Sequence, residues 1–388
     1  MLTACGGGKT VPAPVVSGQS EGGPRAAPIP PVSAAPLQAP AANAVKVALL
    51  LPLSGPNADL GKSMLDAAQL ALFTMGGEHL TLVPRDTGGT PDGAAKAARS
   101  AVDEKVGLIL GPLLAAEVEA VKPIAAAANI NVIAYSTATQ LAGGNIFLMG
   151  FLPRDEAARE VDFAHEKGAQ RFAALLPNSP YGHLMGEALR GAASADGATV
   201  GRIEYLDSRL PDPTVAVTHL VAGQSAAAPG FDALLLPEGG TQLKQLAAQL
   251  KTAGLDTGKV RLLGSGLWDD SSIAGDPNLV GGWFASSPPD ARNDFENRYQ
   301  AAYHHAPPRL ASLAFDSAAL AAVLAKSGGD NPFTREAILN PAGFSGVDGL
   351  FRFTQAGLVQ RGLAVLEVGP QGDTVVSPAP HAFSSPGM

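Results

Sequence analysis

From Val45 onward, short apolar runs alternate with segments whose apolar residues return every three or four positions. The runs VKVALLL (45–51), LTLV (80–83), VGLIL (106–110) and NVIAY (131–135) are nearly all apolar and too short for helices, which predicts buried strands. Segments 62–75, 91–104 and 113–128 predict helices; in the first, Leu65, Ala68, Leu72 and Met75 share one face. Strands alternating with helices imply right-handed βαβ units and a parallel sheet covered on both faces.

After FLMGFLP (147–153) the pattern restarts. RFAALLP (171–177), TVGRIEYL (199–206), FDALLLP (231–237) and VRLLG (260–264) predict a second set of strands, with helices over 154–168, 182–195, 213–223 and 240–253. No stretch repeats as sequence, yet the order of elements is duplicated, as in two similar α/β lobes. GGWFASS (281–287) predicts a further crossing between lobes, leading into helices near 290–304 and 310–326. Two apolar runs around Gln355-Ala356-Gly357 predict an antiparallel hairpin within 349–369. The expected division is lobe 1 from 45–150 plus about 285–348, lobe 2 from 151–284 plus about 349–369, and a flexible tail over 370–388.

Composition changes the picture at the N-terminus. Residues 6–44 carry eight prolines and only three charges, Lys9, Glu21 and Arg25. Such a segment cannot bury a core, and a disordered linker is expected. The single cysteine, Cys5, excludes an intramolecular disulfide and any thiolate cluster. Leu2-Thr3-Ala4-Cys5 has the small residues of a lipobox, so residues 1–5 read as the remnant of a lipoprotein signal with lipidation at Cys5. The basic and apolar parts of that signal would lie upstream. No apolar run reaches the roughly 18 residues of a membrane span. A net charge of -8 without a Lys/Arg-rich run argues against a nucleic-acid partner.

LLLPLSGPNADLGKS (49–63) comes close to a phosphate-binding loop. Five residues separate Gly55 from Gly61, where that motif has four. Pro56 offers no N–H to a phosphate, and Asp59 would put a carboxylate inside the cradle. What remains is a Gly loop at a strand's carboxyl end that opens a helix, the place where open α/β sheets hold ligands. Gly111-Pro112 repeats that geometry. Asp86-Thr87-Gly88 lacks the second triplet an aspartic protease needs and reads as a turn. No H-E-x-x-H occurs, Ser265 within Gly264-Ser265-Gly266 is not the serine of a nucleophile elbow, and His304-His305 would point apart on a helix. Asp269-Asp270 reads as a helix cap more readily than as a site for a cation or a ligand ammonium. Tyr135, Phe151, Tyr181, Trp268 and Trp283 fall at predicted strand ends or crossings, facing either a cleft or a core. No catalytic constellation, cofactor or metal site is expected.

PLSG follows the first strand (Pro52–Gly55), GP the third (Gly111-Pro112) and YG the strand opening the second lobe (Tyr181-Gly182), with D-x-x-G-x-P-x-x-A at Asp86–Ala94. In this order the chain, over roughly 45–369, resembles the type I periplasmic binding proteins of the Leu/Ile/Val class. The resemblance implies two Rossmann-like lobes with parallel central sheets, joined by three crossings. It implies a ligand cleft, for which Ser54, Gly55, Asn57, Gly111, Pro112, Tyr135, Ser136, Thr137, Tyr181, Glu238, Trp268 and Asp269 are the candidates. LGP, GFLP and RFAALLPNSPYG look most like a branch of penicillin-binding-protein activators, outer-membrane lipoproteins that stimulate peptidoglycan synthases. That likeness implies a non-enzymatic adaptor, lipid-anchored in the periplasm at the outer membrane of a Gram-negative bacterium, with a bifunctional penicillin-binding protein as partner. The alternative is the substrate-binding component of an ABC transporter, passing a small amino-acid-like or other organic solute to a permease. Amino-acid binders of this class hold the ligand carboxylate with hydroxyls after the third-strand turn, where this chain has Leu114, Ala115 and Ala116. Their ammonium-binding tyrosine and glutamate fall near Gly239 and Gly266. Only Ser136-Thr137 keep hydroxyls, and poor binding of simple α-amino acids is expected.

Overall fold

The computed structural model describes residues 44–206, 212–223, 230–329 and 331–383; Cys5 and the expected linker up to residue 43 lie outside the described residues. Lobe 1 begins with β1 (Val45–Leu51), α1 (Ala58–Met75), β2 (Leu80–Asp86), α2 (Pro91–Asp103), β3 (Leu108–Leu110), α3 (Ala115–Ala127), β4 (Asn131–Ala134) and β5 (Ile146–Leu148). Its strands are parallel in the order β2-β1-β3-β4-β5. The pleat of β1 explains why the strand is apolar at every central position. Val47, Leu49 and Leu51 enter the core beneath α1, while Ala48 and Leu50 enter the core beneath α2 and α3.

Lobe 2 runs through α4 (Pro153–Glu166), β6 (Arg171–Pro177), α5 (Pro180–Ala195), β7 (Thr199–Leu206), α6 (Thr214–Val221), β8 (Ala233–Leu235), α7 (Gly240–Thr252), β9 (Arg261–Gly264) and β10 (Trp283–Ser286). The order β7-β6-β8-β9-β10, all parallel, repeats that of lobe 1: second, first, third, fourth, fifth. The duplicated architecture is thus a duplicated topology. The chain then returns to lobe 1 with α8 (Pro289–Tyr303) and α9 (Ala311–Ser327). α9 is buried on nearly every side, and the Tyr299 and Tyr303 hydroxyls of α8 donate to the Ser63 and Asp66 carbonyls of α1 at 3.3 and 2.8 Å.

Two expectations are corrected at the C-terminus. β11 (Phe344–Gly346), β12 (Gly349–Phe353) and β13 (Val359–Arg361) form a small antiparallel sheet whose Phe351, Phe353 and Val359 pack into the core of lobe 1. The hairpin is therefore part of lobe 1, and only β14 (Ala364–Glu367) joins lobe 2, antiparallel to β10. Nor is 370–388 wholly a tail, because β15 (Thr374–Ser377) pairs with β14 as an edge strand. Phe383 then lies under the Arg352 guanidinium of β12 at 4.4 Å.

The lobes are joined at three crossings: Met149–Leu152, Ser287-Pro288 and Gly362-Leu363. Charge is buried where they meet. Arg361, 7% exposed, donates to the Met149 carbonyl at 2.9 Å and lies over the Phe151 ring at 4.9 Å. Asp348, wholly buried, accepts from the Ser287 hydroxyl at 2.9 Å and from Arg292 at 3.2 Å. Asp269 of lobe 2 faces Arg292 and Arg309 of lobe 1 at 3.6 and 3.5 Å and accepts from Ser286 at 2.9 Å. Among the described residues no helix is long and apolar enough to cross a membrane.

Candidate ligand-binding cleft

The carboxyl ends of both parallel sheets face one cavity of about 980 Å³. Lobe 1 contributes Asn57 and Leu60 after β1, Leu113–Ala115 after β3, Tyr135–Ala138 after β4, and Arg309-Leu310 before α9. Lobe 2 contributes Glu156 on α4, Ser179–Tyr181 and Glu187 around α5, and Gly266-Leu267 after β9; Phe151 comes from the first crossing. This is where open α/β sheets place ligands, at the carboxyl edge where neighbouring loops part.

Of the residues proposed from sequence, Asn57, Tyr135, Ser136, Thr137 and Tyr181 line the cavity. The others lie elsewhere, each for a physical reason. Ser54 and Gly55 are exposed beside the loop after β2, where Asp86 Oδ1 accepts from Leu53, Ser54 and Gly88 N–H at 2.9, 3.1 and 2.8 Å. Burial acts to raise the Asp86 carboxyl, but these hydrogen bonds outweigh it and hold the group below the ordinary carboxylate range. The Asp-Thr-Gly triplet is thus a staple for the loop that mimics a phosphate site. Gly111 and Pro112 are buried at the sheet edge, with Gly111 N–H on the Ile133 carbonyl at 2.8 Å and the Pro112 carbonyl receiving Tyr135 N–H at 3.0 Å.

Trp268 is a core residue: wholly buried, it donates from Nε1 to the Leu236 carbonyl at 2.9 Å and packs among β8, β9 and β10. Glu238 lines a separate cavity of about 440 Å³ near β6 and β7. Asp269 does not line the cleft; it backs it through Arg309. Asp270 caps the next turn, accepting from Ser272 N–H at 2.8 Å.

Sequence reasoning missed Arg309 and Glu156. The Arg309 guanidinium stacks on Phe151 at 4.3 Å, with Asp269 as its counter-charge. Glu156 converges on the same point: a side chain built on Gly266 would lie 2.6 Å from Arg309 Nη2 and 2.9 Å from Glu156 Oε1. Burial raises the Glu156 acid to about 7, against the opposing pull of Arg309 and of the Gly266 N–H. Tyr181 borders this acid, donates its hydroxyl to Ser265 at 3.0 Å and packs against the lobe 2 core where it lines the cavity. A signal for Glu156 existed. α4 buries positions 153, 156, 157, 160, 161, 163 and 164, and the recurrence at three and four residues sets Glu156 and Glu160 on the inward face. Arg309 sits in a Pro-Pro loop with no periodicity to betray it.

The α3 N-terminus is the second informative feature. Leu114 N–H donates to Glu117 Oε2 at 3.0 Å, and Glu117 is wholly buried. The chain's own acid therefore occupies the helix end that would otherwise receive an anion. Among the described residues no group of three or more His, Cys, Asp or Glu is placed to hold a metal ion.

Two α/β lobes of one topology, joined by three crossings around a cavity at their strand ends, define a two-lobed binding protein. Residues 44–373 match the periplasmic binding protein family, and the chain belongs to it. The fold is similar to that of a branched-chain amino acid ABC transporter protein from Rhodospirillum rubrum, with TM-score 0.74 and 19% identity over 86% of this chain and 100% of that one. It is similar to the isoleucine complex of the LivJ substrate-binding protein from Streptococcus pneumoniae, with TM-score 0.61 and 20% identity over 86% and 100%. A third similar structure is an R. palustris solute-binding protein in complex with benzoate, with TM-score 0.62 and 19% identity over 88% and 98%. No curated protein matches the sequence.

Proposed function

We propose that the protein is the substrate-binding component of an ABC transporter, a non-enzymatic receptor that closes on a small organic solute and presents it to a membrane permease. The observation that carries this reading is the cavity of about 980 Å³, lined from both lobes at their strand ends. Hinge closure about the three crossings would bring the two linings together on a ligand. The structural neighbours, described as ABC transporter substrate-binding proteins, support it as well. The adaptor reading, with a bifunctional penicillin-binding protein as partner, draws on the bare positions Leu114–Ala116, but leaves an open two-lobed cavity without a use.

Thermal unfolding of the purified protein against amino acids, amines and aromatic acids is the test. A bound solute at a hundredfold excess over its Kd adds about 2.7 kcal/mol and raises Tm. If no compound moves Tm while a peptidoglycan synthase is retained on the immobilised protein, the adaptor reading replaces this one. A lipid on Cys5 is part of the proposal, with the Pro-rich segment as tether to the periplasmic side of the outer membrane. The Cys5→Ser variant, expressed with its native leader, is expected to leave the membrane fraction; retention there would remove the anchor from the proposal.

A further inference from the structure

The charges around the cleft are unevenly committed. Arg309 is the one Lys or Arg among the residues that line it, and its guanidinium already has Asp269 at 3.5 Å, the Phe151 face at 4.3 Å and Glu156 alongside. Two of the helix starts at the cavity, those of α3 and α5, are engaged by the chain itself, while α1 and α9 begin at Asn57 and Leu310 without a side-chain cap. Glu117 accepts from Leu114 N–H at the start of α3 at 3.0 Å, and the Ser179 hydroxyl accepts from Gly182 N–H at the start of α5 at 3.2 Å. On the other side of the balance, Glu156 and Glu187 both face the cavity. Leu60, Leu113, Leu114 and Leu184 make much of the remaining wall apolar.

We propose that the cleft selects an organic cation, an amine with an apolar body and no α-carboxylate, and that Glu156 receives its positive group beside the Tyr181 ring. This rests on the solute-receptor reading above. A carboxylate entering the cavity would meet Glu156 and Glu187, with His183 and an Arg309 that already faces Asp269 as the groups to answer it. An ammonium would meet a buried acid and an aromatic face, the two groups that hold cations in apolar surroundings. The apolar wall takes the ligand's body, which leaves the charge to decide selectivity.

The groups around Glu156 set the pH sign. Asp155 and Glu160 share its helix, Tyr181 faces it from α5, and Arg309 and Arg361 oppose it from lobe 1. Because burial holds the free acid near 7, an ammonium must draw it into the ionised form. Amine affinity therefore rises as pH goes from 6 to 8.

Two matched series separate the outcomes by calorimetry on the whole chain: phenethylamine, 3-phenylpropionate and L-phenylalanine, and isopentylamine, isovalerate and L-leucine. The amine of at least one series is expected to bind about tenfold or more tighter than its carboxylate, the worth of one charge-assisted hydrogen bond. Glu156→Gln is expected to remove that preference and its pH dependence while leaving thermal unfolding cooperative. Tighter binding of a carboxylate or an amino acid overturns the proposed class and leaves the receptor reading standing. An amine preference unchanged in Glu156→Gln overturns the role of this residue. Absence of binding by all six compounds overturns the cation proposal, and the receptor reading falls with it only if the wider solute screen is also silent.

Discussion

Replacing Asp348 by alanine is expected to destabilise the protein by about 3–5 kcal/mol, the loss typical of removing one partner from a buried ion pair. Asp348 is wholly buried between β11 and β12, and its carboxyl faces Arg292 at 3.2 Å with the Ser287 hydroxyl at 2.9 Å. Burial works to raise it, but the guanidinium groups of Arg361, Arg309 and Arg292 outweigh that and hold it below the ordinary carboxylate range. Without it, Arg361, 7% exposed, is left with Asp316 as the buried acid beside it. Burial, and then the charge of Asp348, raises Asp316 to about 7. An acid raised in the folded state contributes stability that is complete below its unfolded value and lost as pH rises through the folded one. The wild-type protein should therefore lose part of its stability between about pH 4 and pH 7, and Asp348→Ala should move that slope to lower pH. Urea midpoints at pH 5 and pH 8 measure both effects. Asp59→Ala is the control, because its pairing with Lys62 at 3.9 Å is solvent-exposed and worth about 0–1 kcal/mol. Equal midpoints for the two variants would dismiss the idea that the crossings are held by buried charge.

The same cluster marks the limit of what the sequence discloses. Alternation of apolar runs with helical periods was enough for two α/β lobes, because each strand buries both faces and each helix one stripe. Periodicity describes an element's own faces and not the core it joins. The hairpin at 349–361 was legible as a hairpin, yet its place in lobe 1 depends on Phe353 meeting Phe147, more than 200 positions away, with Phe351 against Phe353 in the same core. The cleft follows the same division. Asn57, Tyr135, Ser136, Thr137 and Tyr181 were readable because strand ends carry ligands in this class of sheet. Trp268 stands at a strand end too, but turns inward to a buried carbonyl. Arg309 gains its position only when the loop before α9 folds back over Phe151.

Gly61→Ala is expected to cost about 1–3 kcal/mol or more, as overpacking against a rigid backbone does. A Cβ at this position would overlap the Pro52 carbonyl oxygen at the end of the turn after β1. Neither side can yield easily, since Pro52 is buried and α1 is wedged against α8 and α9. The same approach recurs at Gly93, against the Thr87 carbonyl, and at Gly182, against the Pro177 carbonyl. Each lies in the first turn of a helix that follows a parallel strand, the close helix–strand packing that a third glycine serves in dinucleotide folds. The Gly-Lys-Ser that ends the phosphate-loop mimic is thus a packing device. Its glycine lets α1 close on β1, its lysine is exposed, and its serine hydroxyl returns to the Asp59 carbonyl at 2.9 Å. Because Asn57 and Leu60 lie in the segment that this contact closes and line the cleft, a displaced α1 should weaken ligand binding along with stability. Gly191 provides the contrast. It lies on the open side of α5 with nothing within 4 Å of a built Cβ, so Gly191→Ala should leave stability unchanged or raise it by about 0.5–1 kcal/mol. The thermal midpoint should fall in Gly61→Ala and hold or rise in Gly191→Ala; a Gly61→Ala protein as stable as wild type would mean that α1 is free to shift away from β1.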